Sequence, residues 1–167
     1  MNEEYALKCE EIWLESRKKI GKGFLIVERQ TIKAVIKTPF LPEKFQNLPV
    51  IHLPGYITPG FVDCHVHLSL NCKNTGYNNF LSTLNSLSEQ GVKAVRDAGD
   101  KKGRTLEFFK ACKKIIPSIV PSGKAVSFKR GYGGFLGCSI GNLRERLSII
   151  AELAFQGAKV FKIITTG

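Results

Sequence analysis

The chain has 167 residues, with 25 lysines and arginines against 14 aspartates and glutamates, and its formal net charge is +11. This length suits one domain, or one domain with a small appendage. The fractions of 43% hydrophobic and 23% charged residues are ordinary for a soluble globular protein. Since no apolar stretch approaches a membrane span and the charged N-terminus lacks the apolar region of a signal peptide, we expect no membrane partner.

The positive charge and the cysteines narrow the possible partners and location. A basic surface can bind nucleic acid, anionic lipid or an acidic substrate. Because the lysines are spread through the chain and no nucleic-acid-binding motif is present, we expect no nucleic-acid partner. The five cysteines are irregularly spaced without a Cys-x-x-Cys pair, which fits reduced thiols and predicts a cytoplasmic location.

Residues 1–56 are predicted to form an N-terminal leader and a small β-sheet segment. Residues 1 to about 20 are polar, and we expect them to be helical or frayed. Two β-rich runs, residues 24–28 and 32–37, predict strands joined by a turn near Arg29. Residues 50–53 predict a third short strand, and together these strands favour an antiparallel sheet.

Residues 59–68, Pro-Gly-Phe-Val-Asp-Cys-His-Val-His-Leu, contain two of the three histidines of the chain. Side chains alternate along a β-strand, so Asp63, His65 and His67 are predicted to share one face. Two imidazoles on one face of a rigid strand can hold a divalent metal from one side. The alternative is a solvated or internally satisfied histidine pair, because metal sites normally use three or four protein ligands. The apolar flanks predict that these imidazoles lie in the protein interior.

Strands and helices alternate from residue 57 onward, which indicates a parallel α/β sheet with ligands bound at the carboxyl ends of its strands. The strands are predicted over residues 57–68, 92–96, part of 118–128, and 159–164. The first helix is predicted to begin with Asn78 or Asn79 as its cap and to end before Gly91. The second is predicted over about residues 105–114.

The last predicted helix has the clearest sequence signals. Asn142 and Glu145 form a near capping box at its start, and Gly157 follows its end. Its apolar positions predict one buried stripe, made of Leu143, Leu147, Ile150 and Ala154.

Lys162 lies in the apolar run of residues 160–164, which predicts a fully buried parallel strand. Lysine is seldom buried without a partner. Burial favours the neutral amine, which can add carbon dioxide and become a carbamate, an anionic oxygen ligand similar to a carboxylate. The alternative is a lysine whose ammonium group reaches solvent at a strand end.

The segment of residues 131–137 contains four glycines. It is either a substrate-contacting loop or lid, with Tyr132 as the substrate-binding residue, or a plain surface connection. Asp97 follows Arg96 at a strand end, where a structural ion pair between the two and a catalytic role both remain open.

Three segments resemble one family. Residues 57–68 resemble the P-G-F-[IV]-D-x-H-x-H signature of the amidohydrolase superfamily. Residues 91–99, Gly-Val-Lys-Ala-Val-Arg-Asp-Ala-Gly, are similar to the second barrel strand of its imidazolonepropionase and prolidase-like branch, and residues 157–167 are similar to the fourth. The resemblance extends from about residue 24 to the end of the chain, with the motifs in the order of the family.

The resemblance implies an α/β fold, the first half of a TIM-type (β/α)₈ metal-dependent hydrolase barrel preceded by a small β-sheet segment, with residues 57–167 as its first four β/α units. It implies that His65 and His67 hold the first metal and that Lys162 bridges two metals as a carbamate. Because Asp63 shares the predicted histidine face, we expect its carboxylate to hydrogen-bond one of the metal ligands. The resemblance also implies one or two divalent ions, which we expect to be zinc, and hydrolysis by a metal-activated hydroxide. The substrate would be a small molecule, either a cyclic amide or related non-peptide C–N compound or a dipeptide.

The resemblance covers only part of a barrel, which needs about 250 residues. The family's histidines on the fifth and sixth strands and its catalytic aspartate on the eighth have no counterpart, and no histidine follows His67. We therefore expect no catalytic base in this chain, and a need for a complementing C-terminal half or a homo-oligomer. Two rival hypotheses are a non-catalytic fragment, from a disrupted gene or as one subunit of an assembly, and a basic binding protein that kept the fold without the chemistry.

Overall fold

The computed structural model describes residues 4–15, 18–70, 77–112, 117–128 and 133–165. The chain divides into two compact units, the first ending at Pro59 and the second beginning at Gly60. The described part of the first unit is built of strands and one short 3₁₀ helix, whereas strands and α-helices alternate in the second. Within the described ranges, no helix is both long and apolar enough to cross a membrane.

The first unit contains two small sheets. Its strands are β1 (Glu4–Cys9), β2 (Glu11–Glu15), β3 (Lys18–Ile20), β4 (Gly23–Glu28), β5 (Thr31–Ile36), β6 (Val50–His52) and β7 (Tyr56–Ile57). One sheet has the order β5-β4-β1-β6 and the other the order β3-β2-β7. The three strands expected between residues 24 and 53 are confirmed, and Arg29 adopts a positive φ of 50° in the turn between β4 and β5. The sheet is mixed rather than antiparallel, because β1 and β6 pair in parallel.

The expectation of a helical or frayed leader is wrong for the described residues before residue 20. β1 pairs with β4 along its whole length, from Glu4 opposite Glu28 to Cys9 opposite Gly23. Ala6 and Ile12 are buried, and they pack with apolar residues of β4. Pairing with an apolar strand therefore outweighs the polar composition of this segment, a tertiary effect that local propensity does not include.

The second unit alternates strands and helices as predicted. Its elements are β8 (Phe61–Val66), α1 (Tyr77–Glu89), β9 (Val92–Asp97), α2 (Arg104–Ala111), β10 (Ser118–Val120), β11 (Ala125–Phe128), β12 (Gly137–Ile140), α3 (Leu143–Phe155) and β13 (Ile163–Ile164). They form two parallel sheets, with the orders β10-β9-β8 and β12-β11-β13. The third predicted strand is thus two strands, β10 and β11, and each belongs to a different sheet. β12 was not expected from the sequence.

The ends of the helices follow the sequence signals in part. Asn142 caps α3, since its side-chain oxygen accepts from the Glu145 amide at 2.9 Å while the Glu145 carboxylate accepts from the Gly141 amide at 2.9 Å. The prediction that Asn78 or Asn79 caps α1 is wrong, because both residues lie inside a helix that begins one residue earlier. Here the hydroxyl of Thr83 donates to the Asn79 carbonyl one helical turn away.

The predicted buried stripe of α3 is also wrong. Leu143 and Leu147 are 67% and 60% exposed, and the buried side chain of the helix is Leu153. Leu153 packs at Gly123, where an added Cβ would lie 2.9 Å from its Cδ2 atom. Leu153 therefore occupies space that a side chain at position 123 would need.

The core of the second unit lies between β9 and the helices α1 and α2. It consists of six buried residues, Leu68, Phe80, Leu84, Val95, Phe108 and Ile119. The rings of Phe80 and Phe108 stack with centroids 4.8 Å apart. Because Val95 packs into this core, its neighbour Arg96 is placed on the opposite face of β9, which is the face of the candidate site.

Candidate functional site

The two histidines of the H-x-H segment lie together at the end of β8. His65 is the penultimate residue of the strand, and His67 follows its last residue. Their ring centroids are 5.4 Å apart, with an interplanar angle of 55°. The pairing of β8 with β9 is irregular between Asp63 and Val66, and a carboxylate oxygen of Asp63 accepts from the backbone amide of His65 at 2.9 Å. Asp63 therefore holds the main chain of His65, one of the two predicted metal ligands.

His67 has a defined hydrogen-bond partner on one ring nitrogen. Its Nδ1 atom lies 2.7 Å from the carbonyl oxygen of Gly99. A carbonyl can only accept, so Nδ1 donates, and in the neutral ring this tautomer leaves a lone pair on Nε2. A histidine whose second nitrogen donates to a backbone carbonyl is the usual arrangement for a metal ligand, because the bond fixes both tautomer and orientation.

Asp97 holds the segment that contains this carbonyl. It is fully buried, and its two carboxylate oxygens accept from the amides of Leu68 and Gly99, each at 3.2 Å. The carboxylate thus joins the residue after His67 to the residue whose carbonyl orients the His67 ring. Burial raises the pKa of Asp97 to about 6, although the two amide donors oppose the shift.

Glycine is the residue type that fits at position 99. Its φ of +90° is strained for any side chain, and an added Cβ would lie 2.7 Å from the carbonyl oxygen of Gly123. A glycine after Asp97 and Ala98 was visible in the sequence, although its contact with His67 was not.

Arg96 does not pair with Asp97, so the structural ion pair considered for these neighbours is wrong. Its Nε atom instead donates to the carbonyl oxygen of Cys64 on β8 at 2.8 Å. Adjacent residues of a strand point to opposite faces, which is why these two side chains separate.

Lys162 lies near the histidines although it is 97 residues from His65 in the chain. Its Nζ atom is 3.5 Å from Nε2 of His65, at the long end of hydrogen bonding. The prediction of a fully buried strand over residues 160–164 is wrong. The strand β13 contains only Ile163–Ile164, Lys162 precedes it and is half-buried, and Phe161 is 41% exposed. Among the described residues β13 pairs with β11 alone, so its other edge is uncovered.

The imidazoles are less enclosed than the apolar flanks predicted. His65 is exposed and His67 half-buried. β8 lies at the edge of its sheet, and its apolar residues Phe61 and Val62 are 60% and 61% exposed. Apolar composition predicted an interior position, but burial requires a neighbouring strand, and within the described ranges β8 has only β9.

A cavity of about 440 Å³ opens beside these groups. Its lining includes His65, Arg96, Ser122 and Lys162. Arg96 and Ser122 were not among the site residues that the sequence predicted. Arg96 had a weak signal as a charged residue alternating with buried ones at a strand end, whereas Ser122 is brought to the cavity only by the break between β10 and β11.

The donor set fits a divalent metal held from one side. Nδ1 of His67 is bonded to the Gly99 carbonyl, which leaves its Nε2 as the nitrogen for a metal, and Nε2 of His65 faces the amine of Lys162. Imidazole nitrogens suit zinc and similar ions, and a carbamate on Lys162 would add oxygen ligands. Histidine, cysteine and carboxylate side chains do not gather in any group of three or more within the described ranges, so Lys162 is the third donor available here.

The sequence is 28% identical over 154 residues to the imidazolonepropionase of Cupriavidus metallidurans, a match covering 83% of this chain and 36% of that enzyme. It is 30% identical over 125 residues to the imidazolonepropionase of Cupriavidus taiwanensis, covering 68% of this chain and 29% of that enzyme. No protein-family model matches the sequence. The fold is similar to that of a prolidase crystallised with N-methylphosphonate-L-proline, with a TM-score of 0.65 and 24% identity, covering 98% of this chain and 47% of that one.

The chain belongs to the amidohydrolase superfamily. It matches the N-terminal part of these proteins and spans about a third of the length of the two imidazolonepropionases. The superfamily assignment confirms the resemblance first seen in three sequence segments. The roles of His65, His67, Lys162 and Asp63 stay predictions, and Tyr132, predicted to bind substrate, lies outside the described residues.

Proposed function

We propose that this chain supplies the metal-binding half of an amidohydrolase that hydrolyses a non-peptide C–N bond, as in a cyclic amide, or a dipeptide. The observation that supports this most directly is the approach of Lys162 Nζ to within 3.5 Å of His65 Nε2, beside His67. Support also comes from the relatives, whose names describe an imidazolonepropionase and a prolidase. In this proposal the fold is the first half of a TIM-type barrel.

The roles follow from the contacts of each residue. His65 and His67 would hold the first ion, and Lys162, as a carbamate, would bridge it to a second. A divalent ion bound there would polarise the scissile carbonyl and lower the pKa of a water molecule. The carbonyl of Gly99 orients the His67 ring. The carboxylate of Asp97 holds Gly99 in place by accepting from the Gly99 backbone amide.

A general base is not available at this cavity within the described part of the chain. Asp97 is the one carboxylate in its lining, and both of its oxygens already accept backbone amides. We therefore propose that the base comes from polypeptide beyond these residues, and that this chain alone is inactive.

Zinc affinity tests the proposal, and the chain offers a matched control. His52 lies on β6 and is exposed, so His52→Ala removes an imidazole that has no role in the proposed site. We expect His65→Ala and His67→Ala to weaken zinc binding at least about tenfold in competition with a chromophoric chelator, and His52→Ala to leave it unchanged. Lys162→Met should abolish any gain in affinity that bicarbonate produces. Equal zinc binding by the wild type and both site variants would refute the metal site.

The exposed strand edges favour a second candidate, a subunit that acts only with a complementing half or a second copy. The apolar residues at these edges are Phe61, Val62, Phe161 and Ile163, each between 41% and 61% exposed. Open, apolar sheet edges promote association with another chain. Light scattering should show self-association, which Val62→Lys should reduce. A concentration-independent monomer would exclude the homo-oligomer, leaving the complementing half to be tested by co-expression.

A further inference from the structure

Arg96 lines the 440 Å³ cavity beside His65 and Lys162. Its Nε atom is held by the Cys64 carbonyl at 2.8 Å, and this bond ties a side chain of β9 to the backbone of β8. Its two terminal amino groups have no hydrogen-bond partner among the described residues, and they can present a fork to a planar anion. No ion pair involves Arg96 within the described ranges.

The charges around the cavity do not neutralise Arg96. The one carboxyl side chain among the described lining residues is that of Asp97, which is fully buried and whose oxygens are directed to the amides of Leu68 and Gly99. The cavity therefore favours a negatively charged ligand over a neutral one.

Ser122 supplies a second polar group at the same cavity. It is fully buried and lines the same cavity, yet its hydroxyl has no hydrogen-bond partner among the described residues. Buried hydroxyls in folded proteins are nearly always bonded, because leaving one unpaired costs free energy. A ligand atom that accepts or donates at this hydroxyl would satisfy it.

We propose that Arg96 and Ser122 bind a carboxylate group of the substrate. The inference rests on the proposed function and specifies it, since it makes the substrate of the His65 and Lys162 centre a small carboxylate. Arginine suits this role because its fork matches the two oxygens of a carboxylate. A cavity of about 440 Å³ lies within the range of small-molecule sites.

A matched pair of probes tests the charge requirement. N-acetylglycine and N-acetylglycinamide differ in one group, a carboxylate against a neutral amide. When it is titrated into the ¹⁵N-labelled chain, N-acetylglycine should shift backbone amide signals of residues near the cavity. N-acetylglycinamide should not shift them. Equal binding of both probes would overturn the proposal, and so would equally tight binding of inorganic phosphate, which would indicate a general anion site.

Variants test the residues. We expect Arg96→Gln to weaken acid binding at least about tenfold and Ser122→Ala to weaken it several-fold. Arg144→Gln removes the same charge from an exposed position on α3 and should change nothing. If Arg96→Gln fails to fold, Arg96→Lys keeps the charge without the fork and should still weaken binding. Unchanged affinity in the Arg96 and Ser122 variants, or an equal loss in Arg144→Gln, would refute the assignment.

Zinc titration separates this inference from the proposed function. Arg96→Gln leaves both histidines in place, so this variant should lose affinity for N-acetylglycine and keep its affinity for zinc. His67→Ala should lose zinc and keep the acid, because His67 is not among the residues that line the cavity. Loss of acid binding in His67→Ala but not in Arg96→Gln would refute the carboxylate site while leaving the metal site intact.

Discussion

Replacement of Asp97 by asparagine is expected to remove a pH-dependent loss of stability from the metal-free chain. Burial raises the pKa of Asp97 to about 6 in the folded state, against an ordinary value of 3.8. The folded chain therefore keeps this proton to a higher pH than the unfolded chain does. The contribution of this carboxyl group to the free energy of unfolding is complete below pH 3.8, and it is lost as the pH rises through about 6.

The size of the effect follows from the difference between the two pKa values. It corresponds to about 3 kcal/mol of unfolding free energy between about pH 4 and pH 7.5. Asparagine cannot ionise. Its side-chain NH₂ group replaces one carboxylate oxygen, so a donor then faces a backbone N–H group that also donates. The protonated carboxyl of the wild type has a similar donor, so the two proteins should be most alike at low pH.

Urea unfolding followed by far-ultraviolet circular dichroism measures the difference. The helices α1, α2 and α3 all lie in the unit that contains Asp97, so the helical signal reports on that unit. Chelator is added throughout, and Glu89→Gln, an exposed change on α1, controls for the lost charge. Parallel stability curves for wild type and Asp97→Asn across this pH range would refute the reasoning.

Three further changes test the packing around the site. Gly99→Ala should destabilise the second unit by about 1–3 kcal/mol in the same urea assay, because of its φ of +90° and the Gly123 carbonyl 2.7 Å from the new Cβ; wild-type stability would contradict this. Asn142→Ala should cost about 1 kcal/mol by removing the cap that accepts from Glu145, and no change in the urea midpoint would argue against the cap. Leu84→Ala should cost about 2–5 kcal/mol by leaving a cavity in a fully buried position, which calorimetry would detect as a lower Tm.

Sequence reasoning recovered the parts of the second unit that depend on neighbours in the chain. The capping box of Asn142 and Glu145 and the helix-ending glycines Gly91 and Gly157 involve residues within a few positions of each other. The H-x-H pair is local in the same sense, since a strand alone brings His65 near His67. Such features follow from short-range geometry, which one segment contains completely.

The errors at β1 and α3 concern which segment of the chain packs against which other segment. β1 was missed because its pairing partner, β4, begins 14 residues after β1 ends, and the predicted stripe of α3 is exposed because Gly123 receives Leu153 instead. Burial is a property of the neighbours in space, so composition predicts it only when those neighbours are known.

The amino-acid order alone therefore determined the superfamily, the alternation of strands and helices, and the nomination of two imidazoles and a lysine as ligands. Only the tertiary structure decided that Lys162 meets His65 across 97 residues, that the Gly99 carbonyl sets the tautomer of His67, and that Arg96 faces a cavity instead of Asp97. The physical reason is the range of the interactions: caps and strand faces form within one segment, whereas these contacts require chain closure between distant segments.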